Sequence, residues 1–287
     1  MRKIIAAIAC LTVIGADARA QEFNFWLNGG WQGLTCSIKN GRTNLLAGGA
    51  FGLGWTIPLS HRWSIISGVT GGSYGDRVTM NDGVYNYNQV DITGSAFQYS
   101  IGTTGYKETQ HFFSFGGIPI MLQYHTTGSR SQWYFNGGGK LLLPFNAHVQ
   151  SSSGQLQLSG YYPDFNVNVS NLAQYGFGTV DNWRGSTTYG LKTALSWNME
   201  TGICLMLSHR TKLYTGVYFE YGLDNIKNGN GPAPLVPYSP NGFTGMHAGS
   251  VLNTPNAGDA RAAAFGLQVK LGIGHCSIGT KARTGGS

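Results

Sequence analysis

Charge is scarce in this chain. Its 287 residues include 19 Lys or Arg and 12 Asp or Glu, 11% in all, less than half the ~25% of an ordinary soluble domain. Disordered chains are charge-rich and aromatic-poor, so that class is excluded. The formal net charge is +7, but no Lys/Arg cluster builds an electrostatic footprint, so no nucleic-acid partner is expected. Beyond the N-terminus no apolar run reaches the ~18 residues of a membrane-spanning helix. Cysteine is also sparse: after Cys10 come only Cys36, Cys204 and Cys276. An odd, widely spaced set is not a disulfide framework. His275-Cys276 has no partners at metal-ligand spacing, so neither a metal nor a cofactor is expected.

What is abundant is glycine, with 44 residues, and aromatics, with 15 Tyr, 14 Phe and 7 Trp. Without a Gly-X-Y period this is not collagen, and an all-β chain with close backbone contacts remains. Residues 1–20 read as a secretory signal. Arg2 and Lys3 precede an apolar stretch, Ile4 to Ile14, and Ala18-Arg19-Ala20 supplies a cleavage site after Ala20. A lipoprotein reading at Cys10 would leave too short an apolar stretch for export. Cleavage removes Arg2, Lys3, Arg19 and Asp17, leaving a net +5.

Along the mature chain, apolar residues recur with period two. Phe265, Leu267, Val269, Leu271 and Ile273 alternate with Gly266, Gln268, Lys270, Gly272 and Gly274, the pattern of a strand with one apolar face. Leu213 to Asp224 and Tyr189 to Leu207 repeat it. Leu45 to Leu59, Trp133 to Phe145, His111 to Tyr124, Phe23 to Trp31 and Trp63 to Tyr74 complete eight candidate strands. The phase slips between Phe115 and Ile118, where Gly116-Gly117 allows a β-bulge.

The opposite faces hold Gly, Ser, Asn, Tyr and isolated charges. That suits the filled interior of a small closed barrel whose outer, apolar face meets lipid. Short connections at Ser60-His61-Arg62, His125 to Gln132 and Ser208 to Lys212 alternate with long ones at about Val78 to Thr109, Asn146 to Gly185 and Asn225 to Ala260. This is the expected pattern of periplasmic turns and extracellular loops in outer-membrane barrels. Gln155 to Tyr162 and Val84 to Ile101 could extend hairpins above the membrane, leaving eight strands against ten open. Leu59-Ser60-His61-Arg62 and Leu207-Ser208-His209-Arg210 are two copies of one motif at proposed turns.

These boxes, with Gly116-Gly117-Ile118-Pro119-Ile120-Met121-Leu122 and Leu213 to Leu223, resemble Bacteroidota outer-membrane β-barrel proteins. Ser159 to Asp164 followed by Gln174 to Gly178 resembles the long third outer loop of that group. The group comprises porin-like barrels often fused to an OmpA-type peptidoglycan-binding domain, and the likeness here is to the barrel without that domain. It implies a transmembrane, antiparallel up-and-down barrel of about eight strands in the cell outer membrane of a Gram-negative envelope. It offers no catalytic residue to carry over. The barrel is expected over residues 21–276, with a short tail over 277–287. Gly266, Val269 and Leu271 match the spacing of a barrel-assembly signal, although Ala264 stands where a polar residue is expected. Outer-membrane lipid or lipopolysaccharide and the barrel-assembly machinery are the expected partners.

By parity Lys140, Lys192, Glu200, Glu220 and Lys270 point inward, with Glu220 and Lys270 as the expected pair. They form either a polar channel or gate, or a closed plug of ion pairs. The plug is preferred, because eight strands enclose only enough room for side chains. Ser60-His61 and Ser208-His209 invite a hydrolase reading, but neighbours in a tight turn are poorly placed for nucleophile and base. Gly137-Gly138-Gly139-Lys140 lacks the spacing of a phosphate loop. Trp26, Trp31, Trp55, Trp63, Trp133, Trp183 and Trp197 fall mostly near strand ends, as in interfacial girdles. The expected role is structural, porin-like or surface-interacting, and non-enzymatic. The alternatives are a membrane-embedded lipid hydrolase or acyltransferase, or a soluble periplasmic barrel binding an apolar ligand.

Overall fold

A computed structural model describes residues 21–228 and 233–274. The signal reading over 1–20, His275, Cys276 and the tail over 277–287 lie outside them. The described residues form fourteen strands, not eight or ten: β1 Glu22–Ile38, β2 Gly41–Leu45, β3 Ala47–Pro58, β4 Trp63–Met80, β5 Gly83–Val90, β6 Ala96–Thr104, β7 Lys107–His125, β8 Ser131–Leu142, β9 Ala147–Tyr162, β10 Val167–Val169, β11 Gly178–Tyr189, β12 Ala194–Met206, β13 Thr211–Gly222 and β14 Ala257–Gly274.

The pairing shows why the count rises. Every pair is antiparallel, and β1, β3, β4, β7, β8, β12, β13 and β14 bond in that order, β14 returning to β1. The other segments prolong this ring upward. β2 prolongs β3 against β4, β5 prolongs β4 against β6, and β6 prolongs β7 against β9. β9 prolongs β8 against β7, and β11 prolongs β12 against β9. Short breaks separate the segments, such as Pro144 after β8, which has no N–H for a ladder. Only β10 is a separate addition, paired with the end of β9. The first and second long connections are therefore largely strand, because the hairpins continue past the apolar belt.

Outside the lower ring the side chains are apolar and exposed. Phe23, Phe25, Leu27, Phe51, Leu53, Phe113, Phe115, Leu267 and Val269 all face outward. Inside lie Asn24, Gln32, Gln123, Asn136, Ser196 and Gln268, all buried. This inside-out distribution is the reverse of a soluble sandwich. The bulge at Gly116 is present: Thr70 opposes Gly117 and Gly71 opposes Phe115, so Gly116 has no partner. Its φ of 80° suits glycine.

The two Leu-Ser-His-Arg copies form one turn used twice. Leu59 and Ser60 donate to the carbonyl of Trp63, and Leu207 and Ser208 donate to that of Thr211.

Candidate functional site

Three carboxylate clusters are stacked along the barrel interior. Uppermost, Glu220 on β13 accepts from Lys140 Nζ on β8 at 2.7 Å, from the Tyr74 hydroxyl on β4 at 3.2 Å and from Ser196 Oγ on β12 at 2.9 Å. Lys140 also donates to Tyr74 at 3.0 Å, and the Tyr74 ring stacks on Phe112 with centroids 5.0 Å apart. Below it, Glu200 accepts from Asn136 at 2.6 Å and Gln268 at 2.8 Å. Lys270 stands 3.9 Å from Glu200, with its ammonium 4.5 Å from the centre of the Tyr214 ring. Nearest the short turns, Glu22 takes Lys212 at 2.8 Å and the Tyr214 hydroxyl at 2.9 Å. Each of these three carboxylates thus has a lysine within 4 Å and neutral donors, which offset the cost of holding its charge out of water.

Four of the five charges read as inward are there: Lys140, Glu200, Glu220 and Lys270 are buried. Lys192 is not. It is exposed in the break between β11 and β12, where leaving the ladder ends the alternation. In that break Leu191 is buried, and Tyr189 at the end of β11 is buried too, although parity placed both outward. The expected Glu220–Lys270 pair is also corrected. Register sets Glu220 opposite Ala264 and Lys270 opposite Tyr214, a separation of roughly 20 Å along the strand at ~3.3 Å per residue. Each finds its partner across the lumen or on another strand.

Glu22 and Lys212 escaped the sequence reading because they sit one residue before the first clear alternation of their strands. Continuing the parity by one step would have found both. Asp76, buried near the top of the barrel, keeps the inward parity of β4 two residues beyond Tyr74, the last residue of that candidate strand. Glu108 escaped for another reason. The bulge at Gly116 shifts the phase of β7, so Glu108 faces inward only once that extra residue is counted.

The indole of Trp26 is also inside the barrel, 4% exposed, lying over Gly52. Trp183 is buried against Tyr106. The girdle reading therefore holds as outward exposure for Trp31, Trp55, Trp63, Trp133 and Trp197 only. Beside Trp26, Lys140, Glu200 and Glu220 lies a cavity of about 20 Å³, room for roughly one water.

The upper hairpins and the connection from β13 to β14 close the top. Leu235, Val236, Ala248 and Val251 of that connection pack with Val78, Ile101, Tyr106, Leu156, Leu158, Phe177 and Trp183. A 3-10 turn, Val251–Asn253, points its first N–H at Glu108, while the second, that of Leu252, donates to Ser250 Oγ. Glu108 accepts from Val251 N at 2.8 Å, Ser250 Oγ at 2.9 Å and Gln110 Nε2 at 2.7 Å. It lies five residues beyond Phe113, the first outward apolar residue of β7, and so above the apolar belt. Burial pushes its carboxyl up to about 7, against the lowering effect of these donors. Asp76 on β4 is also raised, first by burial and then by Glu108, while the Leu34 N–H lowers it.

A raised carboxyl favours the folded arrangement below its ordinary value near 4.5, and that contribution is lost as pH rises through about 7. Protection of the Val251 amide from hydrogen exchange, corrected for intrinsic rate, is accordingly expected to be greater at about pH 5 than at about pH 8. Glu108→Gln should flatten that dependence. Equal protection at both pH values in the unaltered chain would contradict it.

The turn hydroxyls are engaged locally. Ser60 Oγ accepts from the Trp63 and Arg62 amides, and Ser208 Oγ accepts from Arg210. His61 and His209 are exposed in these turns. Cys36 donates to the Gly258 carbonyl at 3.3 Å, and Cys204 is buried, both as free thiols. Among the described residues no group of three or more His, Cys, Asp or Glu could hold a metal.

No protein-family model matches the chain, and no curated protein matches it. Among solved structures it is similar to Neisserial surface protein A, at 7% identity and TM-score 0.35, covering 88% of this chain and 96% of that one. It is also similar to the outer membrane protein OprG from Pseudomonas aeruginosa, at 11% identity and TM-score 0.38, covering 90% and 98%. The translocator domain of the autotransporter NalP from Neisseria meningitidis gives 12% identity and TM-score 0.21, covering 95% of each chain.

Proposed function

We propose that this chain is an integral outer-membrane protein, an eight-stranded closed barrel with a plugged lumen, which carries a rigid headpiece at the cell surface. It is a structural or surface-interaction protein and has no enzymatic activity. The observation that carries the membrane reading is the inside-out belt. Apolar side chains are exposed around the barrel while the interior is polar, and an exposed apolar band of this extent is a liability in water. In this reading the short turns face the periplasm and the hairpins the exterior. The same belt disfavours a soluble binder, whose charged face would point outward.

The plug is supported by the three ion-pair clusters, by Trp26 and by the packed upper connection, which together leave a cavity fit for one water. The two Ser-His motifs support turns, since each serine hydroxyl already serves its own backbone. The resemblance to Bacteroidota porin-like, OmpA-type barrels belongs to this proposal, as does export through a signal cleaved after Ala20.

The decisive test is conductance. The refolded chain, inserted into planar lipid bilayers, is expected to give no stepwise current above the bare membrane. Reproducible steps would replace the plug with a pore. Stable solubility of the refolded chain without detergent or lipid would overturn the membrane reading itself.

A further inference from the structure

Above the apolar belt the outer wall of the barrel changes character. Register aligns Arg42 of β2, Thr79 of β4, Lys107 of β7, Ser152 of β9 and Arg184 of β11 in one cross-strand row. The next row toward the belt is Asn44, Arg77, Thr109, Gln150 and Ser186, and the one after it contains His111 and His148. All of Arg42, Arg77, Lys107 and Arg184 are exposed on the outward face. These rows contain no carboxylate. Among the described residues none of the four cations makes an ion pair.

Four unpaired cations of one sign on adjacent strands make a field that attracts and orients anions. Three are arginines, whose planar fork matches phosphate oxygens. The next row outward pairs Gln155 with the exposed Asp181, whose carboxylate accepts from Gln155 Nε2 at 2.9 Å. Beyond it come neutral hydrogen-bonding groups, Gln157 opposite Thr179 and Ser100 opposite Asn86, the latter pair bonded at 2.7 Å.

Position chooses the source of the anion. Lys107 lies six residues beyond Phe113 on the same face, about 20 Å along the strand and roughly 15 Å in height for a barrel tilt near 40°. The patch is on the side wall, continuous with the belt, and does not face the mouth. Whatever lipid packs its chains against Phe113 and Phe115 must carry its headgroup past these side chains. We infer that Arg42, Arg77, Lys107 and Arg184 form a docking face for the phosphate-bearing saccharide headgroup of an outer-leaflet glycolipid, with the flanking amides and hydroxyls meeting sugar hydroxyls. This rests on the outer-membrane reading and assigns the residues through which the chain would engage lipopolysaccharide.

The test titrates the refolded full chain in neutral detergent with three probes: rough-type lipopolysaccharide, the same material stripped of phosphate, and inorganic pyrophosphate. The intact lipopolysaccharide is expected to bind about tenfold or more tightly than the stripped form, as four exposed charge contacts would give. That preference should disappear in the quadruple variant Arg42→Gln, Arg77→Gln, Lys107→Gln, Arg184→Gln. It should persist in Arg62→Gln, Arg130→Gln, Arg210→Gln, which removes charge at the opposite end. A preference surviving in the quadruple variant overturns the site. Equal loss in both variants overturns it too, since net charge would then account for the binding. Pyrophosphate binding as tight as that of the glycolipid would make the patch a site for soluble anions and overturn the lipid assignment. All substituted side chains are exposed, and retained far-ultraviolet β signal checks each variant. Insertion of the unaltered chain into vesicles is scored separately: its failure refutes the membrane reading, whereas insertion without phosphate preference refutes only the docking face.

Discussion

Replacing Lys140 with methionine is expected to lower the unfolding free energy by about 3–5 kcal/mol, the usual cost of stranding one partner of a buried ion pair. Glu220 would keep the Tyr74 and Ser196 hydroxyls but lose the cation that, among the described residues, stands at bonding distance. An ionised carboxylate inside the barrel then has no counter-charge, and protonating it forfeits the strengthened bonds from those hydroxyls. The pair should therefore matter more for consistency than for gross stability. The double variant Lys140→Met, Glu220→Leu is expected to recover at least about half of the loss, because a matched apolar pair replaces a buried ion pair at little cost. Urea titration of the barrel in lipid vesicles, followed by tryptophan fluorescence, measures both. As a comparison, Asp259→Asn removes the exposed pair with Arg261, 3.9 Å apart, and should leave the midpoint unmoved. If Lys140→Met costs no more than Asp259→Asn, the lumen is hydrated and the plug is wrong.

The Lys140 cluster also shows what a linear sequence can carry. Parity alone placed Lys140, Glu200, Glu220 and Lys270 inside, because a strand sends alternate side chains to opposite faces whatever its neighbours are. Partners are another matter. Which lysine meets which glutamate depends on strand register and on reach across the barrel, and a one-residue slip would exchange every contact. Lys192 shows the limit of parity itself: alternation holds only while the backbone stays in the ladder, and Gly190 to Thr193 leave it. The upper hairpins are legible only as possible extensions over Val84 to Ile101 and Gln155 to Tyr162, because their strands are polar outside and their inner face packs on other hairpins. Tyr85, Tyr99, Leu156 and Leu158 alternate inward as regularly as any belt strand. Their outward neighbours, Asn86, Ser100, Gln155 and Gln157, lack the apolar contrast with which the belt announces itself. Trp26 was read with the other tryptophans by residue type, although its parity with Asn24 and Asn28 marked it as inward.

Trp26 yields the other large effect. Its indole occupies the space into which a side chain at Gly52 would project: a Cβ built there collides with the indole ring. The two positions face each other across the β1–β3 pair. Trp26→Ala is therefore expected to cost about 3–5 kcal/mol, as truncation of a buried aromatic generally does, and to enlarge the existing cavity beside Lys140 and Glu220. Gly52→Val in the unaltered chain should cost about 1–3 kcal/mol, because the indole lies across Gly52 and Gly54 and the cavity beside it, about 20 Å³, is too small to take the displaced ring. Each change removes what makes the other harmful. In the double variant the valine enters space left by the indole, so the combined loss should be smaller than the sum by at least about 1 kcal/mol, within the range of contacting pairs. Strictly additive losses would show that Trp26 does not fill the lumen over Gly52, and the girdle reading of this residue would return. Sub-additive losses would establish that part of the glycine excess records a single packing arrangement, in which one strand gives up its side chains so that an aromatic from the next can seal the barrel.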